Sequence, residues 1–273
     1  MTVINCCTTS NPCFNGGTCL PPLPSSKKRF RCQCPDGFEG EHCDVCNPGY
    51  GGSHCDKPIR SCRGYDNGSR ISGNYTMLDV NNNTFQVFCD FDKNATITWT
   101  LIQSYSLHNN EIFKSSSFNE DSPHNQNNPS WSRYRLSKSR MESIQQDSTK
   151  WRVTCRYETD GVLYTDYLRA LNTELNILTF KDKIKKCVEV EYINVRGYNC
   201  THCTAHFKQN QFHILHFVSK DFNCAFNPPE SASCNSKKRA EDSFGYYNCK
   251  NTKHRCSSSN NATTETWFGG KWN

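Results

Sequence analysis

The sequence predicts two parts: a small disulfide-rich β module at the start, and a larger, mainly β domain of the α+β class behind it. Three observations predict this. Six cysteines, Cys7, Cys13, Cys19, Cys32, Cys34 and Cys43, crowd into a stretch too short and too poor in apolar side chains to bury a core, so cross-links must hold it. From Cys62 onward, apolar and polar residues alternate with the period of half-buried strands, over 84–89 and again over 96–103. The 273 residues leave room for one small module and one larger domain.

Within the module, Phe14, Asn15, Gly16, Gly17 and Thr18 separate the second cysteine from the third. Gln33 alone separates the fourth from the fifth, and residues 35–42, with Gly37, Phe38 and Gly40 among them, fill the last loop. Six cysteines allow fifteen pairings, and spacing alone does not choose among them. With its Asn-Gly-Gly-Thr and Gly-Phe-x-Gly turns, the pattern over residues 6–44 resembles an EGF-like domain. The resemblance implies first-to-third, second-to-fourth and fifth-to-sixth bridges: Cys7–Cys19, Cys13–Cys32 and Cys34–Cys43. The glycines suit backbone positions of positive φ in tight hairpin turns. The stretch from Cys46 to Cys55 then repeats the closing loop, with eight residues between the cysteines and an aromatic beside glycine, Tyr50 standing where Phe38 stood. It looks like the last hairpin of a second, truncated EGF-like unit, closed by Cys46–Cys55.

Residues 56–61 read as a short linker. Beyond it, the strand candidates at 84–89 and 96–103 are followed by others at 151–157, 188–195 and 212–218. A helix is expected over 131–146, where Leu136, Arg140 and Ile144 would share a face. Residues 116–130, rich in Asn, Ser and Pro, read as a long loop. Ser61 and Cys62, then Ile71-Ser72-Gly73-Asn74-Tyr75-Thr76, Phe85-Gln86-Val87-Phe88-Cys89-Asp90-Phe91-Asp92 and Trp99-Thr100-Leu101-Ile102-Gln103, together resemble the opening of a fibrinogen C-terminal domain. That resemblance covers residues 61–104 and implies a Cys62–Cys89 bridge and a mixed α+β fold. The fold class is therefore a small disulfide-rich EGF-like β module plus a mainly β, α+β fibrinogen C-terminal-like domain. The expected boundaries are 3–44 for the EGF-like domain, 45–60 for the truncated hairpin and linker, and 61–273 for the divergent fibrinogen-like domain.

Downstream the family pattern departs. Its calcium loop would fall at residues 219–225, where Asp221 is the one carboxylate. Calcium takes six to eight oxygen ligands, so no calcium site of the family type is expected, and no cofactor. The tryptophan pair after Cys224-Ala225 is replaced by Asn227-Pro228-Pro229, with Trp267 and Trp272 as a shifted remnant. The family's ligand pocket therefore transfers to no residue here, and the ligand-binding residues are unassigned. The family's last bridge suggests Cys224–Cys234.

Nineteen cysteines place the protein outside the cell, where disulfides persist. The first six residues lack the charged and apolar regions of a secretory signal. No apolar run approaches the ~20 residues that span a bilayer. The chain is thus expected to be a fragment whose export signal lies upstream. The odd cysteine count leaves one thiol to pair elsewhere or stay free, and Cys6 is the candidate. Sequons at Asn67, Asn74, Asn82, Asn94, Asn199 and Asn261 predict a glycosylated surface, Asn128 being excluded by Pro129.

A mean hydropathy of −0.79 and a net charge of +6 describe a polar, mildly basic surface. The basic clusters at 27–29, 181–186 and 237–239 read as solvated loops, and nothing in them suggests nucleic acid. Cys200 and Cys203, with His202, His206, His213 and His216, invite a zinc reading. The His-x-x-His gap is too short for a finger and exported thiols oxidise, so disulfides are expected instead. No His-Glu-x-x-His, Gly-x-Ser-x-Gly or phosphate-binding glycine loop is present, and no enzyme is expected. The expectation is an extracellular, non-enzymatic recognition or adhesion protein that binds glycans or pathogen surfaces through the larger domain; the alternative is an extracellular-matrix or cell-surface module for protein–protein adhesion or signalling. The loop at 116–130 and the aromatic and histidine-rich segments at 202–217 and 246–272 are the parts that would line a pocket.

Overall fold

The computed structural model describes residues 7, 10–65, 70–181, 187–219, 223–229, 231 and 242–271. Cys6, Asn67, Asp221, Cys234, Trp272 and the basic runs at 182–186 and 237–239 lie outside the described residues. Two units form: Met1–Arg60 with Thr76–Thr84, and Ser61–Tyr75 with Phe85–Asn273.

In the first unit the buried side chains are chiefly half-cystines, Cys13, Cys43 and Cys55, joined by Ile59, Met77 and Leu78. Three short ribbons carry it: β1 (Thr18–Leu20) with β2 (Arg31–Gln33), β3 (Phe38–Glu39) with β4 (Val45–Cys46), and β5 (Tyr50–Gly51) with β6 (Lys57–Pro58). The bridges are Cys7–Cys19, Cys13–Cys32, Cys34–Cys43 and Cys46–Cys55. The last two each span nine positions of sequence, and the ribbons they close are copies: Phe38 faces Cys46 as Tyr50 faces Pro58. Gly37 turns with φ +90°, and a Cβ there would lie 2.8 Å from the Cys55 carbonyl oxygen. Both the backbone angle and the close approach demand glycine.

The second unit holds most of an antiparallel sheet that counts eleven strands among the described residues. In chain order these are β7 (Gly73–Leu78), β8 (Thr84–Asp92), β9 (Ile97–Ser106), β10 (Arg133–Arg135), β11 (Lys150–Cys155), β12 (Tyr167–Leu171), β13 (Cys187–Val195), β14 (Tyr198–Asn210), β15 (His213–Val218), β16 (Asp242–Ser243) and β17 (Thr263–Lys271). Their spatial order is β16-β15-β14-β13-β12-β11-β17-β9-β8-β7, with β10 also on β9. The strand latest in sequence, β17, thus sits at the centre, pairing β11 on one side and β9 on the other. β9 and β11 are buried along almost their whole length on both faces, as is β17. At Gly269 a Cβ would lie 2.4 Å from the Trp99 ring, so the close approach of β17 to β9 at this point requires glycine. Among the described residues three short α-helices accompany the sheet: α1 (Asn110–Phe113), α2 (Lys138–Gln146) and α3 (Tyr157–Asp160).

Two expectations are corrected. The helix expected over 131–146 begins only at Lys138, and residues 133–135 form β10 instead. The reason lies in β9, whose pairing with β8 stops at Thr100 opposite Cys89. Its next residues need hydrogen-bond partners in the interior, and Arg133–Arg135 supplies them opposite Tyr105, Ser104 and Gln103. The second correction is a bridge. Cys224 bonds Cys187, the first residue of β13, and not Cys234. Further bridges between described residues of this unit are Cys62–Cys89, Cys155–Cys256 and Cys200–Cys203, and Cys249 is disulfide-bonded as well.

Candidate functional site

At its start, the loop expected at 116–130 meets the turn that joins β14 to β15. Two buried side chains bring them together. Arg135 is fully buried and its guanidinium donates to the carbonyls of Ser116 (2.6 Å), Ser117 (2.6 Å) and Glu120 (3.1 Å), and to Gln103 Oε1 (3.2 Å). Burial lowers its pKa to about 10, so it stays charged at neutral pH and its positive charge is held by carbonyl oxygens. Gln209, also fully buried, accepts from the Phe118 amide (3.0 Å) and donates to the carbonyls of Ile177 and Phe180 (2.8 Å each). The sequence held a signal for Gln209: it stands in step with Ala205 and Phe207 on a buried phase of the strand, where a polar group must find partners. Arg135 gave no comparable signal, because its stretch reads as helix.

Between these segments lies an open cavity of about 430 Å³. The loop contributes Ser117, Asn119 and Glu120; the turn contributes Asn210, Gln211 and Phe212; Lys181 completes the lining. Asn119 is committed to structure, accepting from the Ser117 hydroxyl (2.8 Å) and donating to the Leu178 carbonyl (3.1 Å). Asn210 Oδ1 accepts from the Phe212 amide (2.9 Å) and stands 3.1 Å from His213 Nδ1, which fixes the turn. Phe212 is 66% exposed, an unusual position for a large apolar side chain in a polar wall. Behind the turn, His213, His216 and Tyr246 pack ring against ring. Burial drives the pKa of His216 down to about 3, so it is neutral at physiological pH. The 116–130 loop and the 202–217 segment thus meet in one cavity; the 246–272 segment goes largely to the core and to β17.

A second concentration of polar groups lies in the sheet's interior. Arg152 and Asp90 form a buried ion pair at 2.6 Å, with the guanidinium between the rings of Trp99 (4.5 Å) and Trp267 (4.7 Å). The Ser72 hydroxyl donates to the other Asp90 oxygen. Next to it Glu265 is fully enclosed, accepting from the Thr154 hydroxyl (2.7 Å) and the Tyr157 amide (3.3 Å). Burial raises its pKa from the ordinary 4.5 to about 7, against the opposing hydrogen bonds of Thr263, Thr154 and Tyr157 and the charge of Arg255. These groups are enclosed and, Arg152 Nε excepted, hydrogen-bonded within the interior, so they organise the sheet and present nothing to a ligand.

Glu265 supplies a pH prediction. Its folded pKa lies above its unfolded one, so its contribution to stability is fully present below about pH 4.5 and is lost as pH rises to about 7. The loss amounts to about 3 kcal/mol. Glu265→Gln is expected to flatten the stability profile over that window and to raise the unfolding midpoint at pH 8. Denaturant titrations of both proteins between pH 4 and 8 check this, and parallel profiles would refute it.

The cysteine–histidine group read for zinc is not assembled as one: Cys200 and Cys203 are bonded to each other. A further cluster of Cys155, His254 and Cys256 has sulfurs bonded to each other, which leaves the imidazole as its one potential ligand. The sequon asparagines Asn74, Asn82, Asn94, Asn199 and Asn261 are all exposed. Among the described residues no helix is long and apolar enough to cross a membrane.

Residues 7–42 match the family model of the EGF-like domain, so the chain carries such a domain there. The chain is similar to protein jagged-1 of Homo sapiens, 40% identical over 42 residues, which is 15% of this chain and 3% of that protein. It is similar to tissue-type plasminogen activator of Mus musculus, 61% identical over 33 residues, covering 12% of this chain and 6% of that protein. Neural-cadherin of Drosophila melanogaster is 53% identical over 34 residues, 12% of this chain and 1% of that protein. The chain therefore spans at most 6% of the length of these relatives.

Proposed function

We propose that this chain is part of an extracellular, non-enzymatic recognition protein, in which the sheet unit binds glycans and the EGF-like unit is a spacer. The observation that carries the glycan reading is the preformed cavity beside Phe212, where an exposed ring stands among polar groups. Eight described bridges support the extracellular assignment, because such bonds are reduced in the cytosol. We also read the sheet unit as a divergent fibrinogen C-terminal-like domain: Cys62–Cys89 supports that reading, and Cys187–Cys224 departs from it.

Protein–protein adhesion is the second reading. It is favoured by the exposed apolar side chains Phe14, Leu23 and Val45 on the EGF-like unit and by the EGF-like match itself. A glycan array and a panel of matrix proteins, both probed with the whole chain, separate the two. Discrete, competable glycan signals are expected; binding to matrix proteins with a blank array would move the assignment to adhesion.

A further inference from the structure

We propose that the cavity between the 116–120 loop and the β14–β15 turn is a pyranose-binding site for an uncharged sugar ring, an inference that rests on the glycan reading above and gives it a location and a ligand class. A pyranose has a weakly apolar face of C–H groups and a rim of hydroxyls, each both donor and acceptor. The cavity offers a counterpart to each. The Phe212 ring, 66% exposed, is the apolar platform. Around it stand groups whose hydrogen-bonding capacity is unspent. Among the described residues no ion pair or hydrogen bond occupies the Glu120 carboxylate, the Lys181 ammonium or the Gln211 carboxamide, and Asn210 has used its oxygen but not its Nδ2. Carboxylate and ammonium bring acceptors and donors, and the carboxamide brings both, as hydroxyls require.

Three properties narrow the ligand. The opposite charges of Glu120 and Lys181 share one cavity, which removes a net preference for acidic or basic ligands. A volume of about 430 Å³ is in the lower part of the ~300–1,000 Å³ range of small-molecule pockets, a size for a terminal sugar and its neighbour. A single apolar ring is too little for a protein partner, whose interfaces are organised around a buried cluster of anchors. The walls are also fixed before any ligand arrives. Arg135 pins the Ser116, Ser117 and Glu120 carbonyls, Gln209 ties Phe118 to the 177–180 segment, and Asn210 locks the turn. Weak individual contacts then suffice, because little ordering entropy is spent on binding.

The test uses the whole chain with glucose, galactose, mannose, fucose, N-acetylglucosamine and glucuronic acid, each observed by saturation-transfer NMR and titration. At least one neutral pyranose is expected to receive saturation through its C–H face, with glucuronic acid no better than glucose. Phe212→Ala is expected to weaken that binding at least tenfold, and Glu120→Gln or Gln211→Ala to weaken it by a smaller factor. These are exposed positions, so the thermal midpoint should not move, and an unchanged midpoint with lost binding places the ligand in the cavity. A wild-type protein positive on the glycan array whose signals survive Phe212→Ala undamped would overturn the location while leaving the glycan reading intact. A wild-type protein blank on both array and NMR would overturn that reading, and this site with it. Preference for glucuronic acid would overturn the neutral-ligand class.

Discussion

Asp90→Ala is expected to destabilise the sheet unit by about 3–5 kcal/mol. Arg152 is 1% exposed and Asp90 is its ion-pair partner, at 2.6 Å. Removing the carboxylate leaves a guanidinium in the sheet interior between Trp99 and Trp267 with no counter-charge. Each ring face stabilises a desolvated cation by about 2 kcal/mol or more, but both faces already act on Arg152 in the wild type, so they do not replace the lost partner. Removing both charges should behave differently. Asp90→Ala combined with Arg152→Met replaces a buried charge by an apolar side chain, and such exchanges are often neutral or better. The double variant is therefore expected to recover most of the loss. All five tryptophans lie beyond Cys62, so intrinsic fluorescence during denaturant unfolding reports this unit alone. A single variant within 1 kcal/mol of wild type, or a double variant no better than the single, would show that the pair is not what organises this part of the sheet.

Removing the Cys155–Cys256 bridge, by alanine at both positions, is expected to cost about 4–5 kcal/mol, the entropic estimate for a closed loop of ~100 residues. The bridge spans 101 positions of sequence and joins the end of β11 to the turn that precedes β17. The same estimate for Cys62–Cys89, which spans 27 positions, is about 3.5 kcal/mol. The order of the two losses is thus a sharper test than either value. One local feature works against the prediction: Arg255 donates to the Cys155 carbonyl and to Asp160, and its amide donates to Asp166. If these bonds alone hold the turn, the measured loss for Cys155–Cys256 will fall below that for Cys62–Cys89. That outcome would mean the arginine, and not the sulfur bond, closes the loop.

The parts of the molecule that were legible in sequence are those where one local rule acts alone. Cysteine spacing and glycine turns describe the small unit because it has little else. Alternation revealed β8 and β9, and β11, β13 and β15 also stood out as strand candidates. It failed for β17, where Glu265 occupies a buried position and Gly269 and Gly270 lower strand propensity. Those three residues look wrong for a central strand until their partners are known: Thr154 and Tyr157 for the carboxylate, the Trp99 ring for Gly269. It also failed for β14, whose first residues, Tyr198, Asn199, Thr201 and His202, are polar or exposed on both faces and carry no apolar rhythm. The cavity was half legible. Loop and histidine-rich segment stood out by composition, but their meeting depends on Arg135 and Gln209, and hydrogen bonds made across long sequence distances leave no trace in local pattern.

The position of β17 also sets an order of events during synthesis. Ten strands of the sheet precede it in the chain, yet none of the pairings at the sheet's centre can close until residues 263–271 exist. A ribosome making this protein therefore delivers two half-sheets first, each with a long open edge, β9 on one and β11 on the other. Open edges are templates for strands of other molecules, and slow completion lengthens the time they are available. The vulnerable interval ends with the arrival of a strand whose middle is Trp267 and Phe268. A lesion in those nine residues would thus be felt as lost yield and aggregation in the secretory pathway, well before any ligand was met.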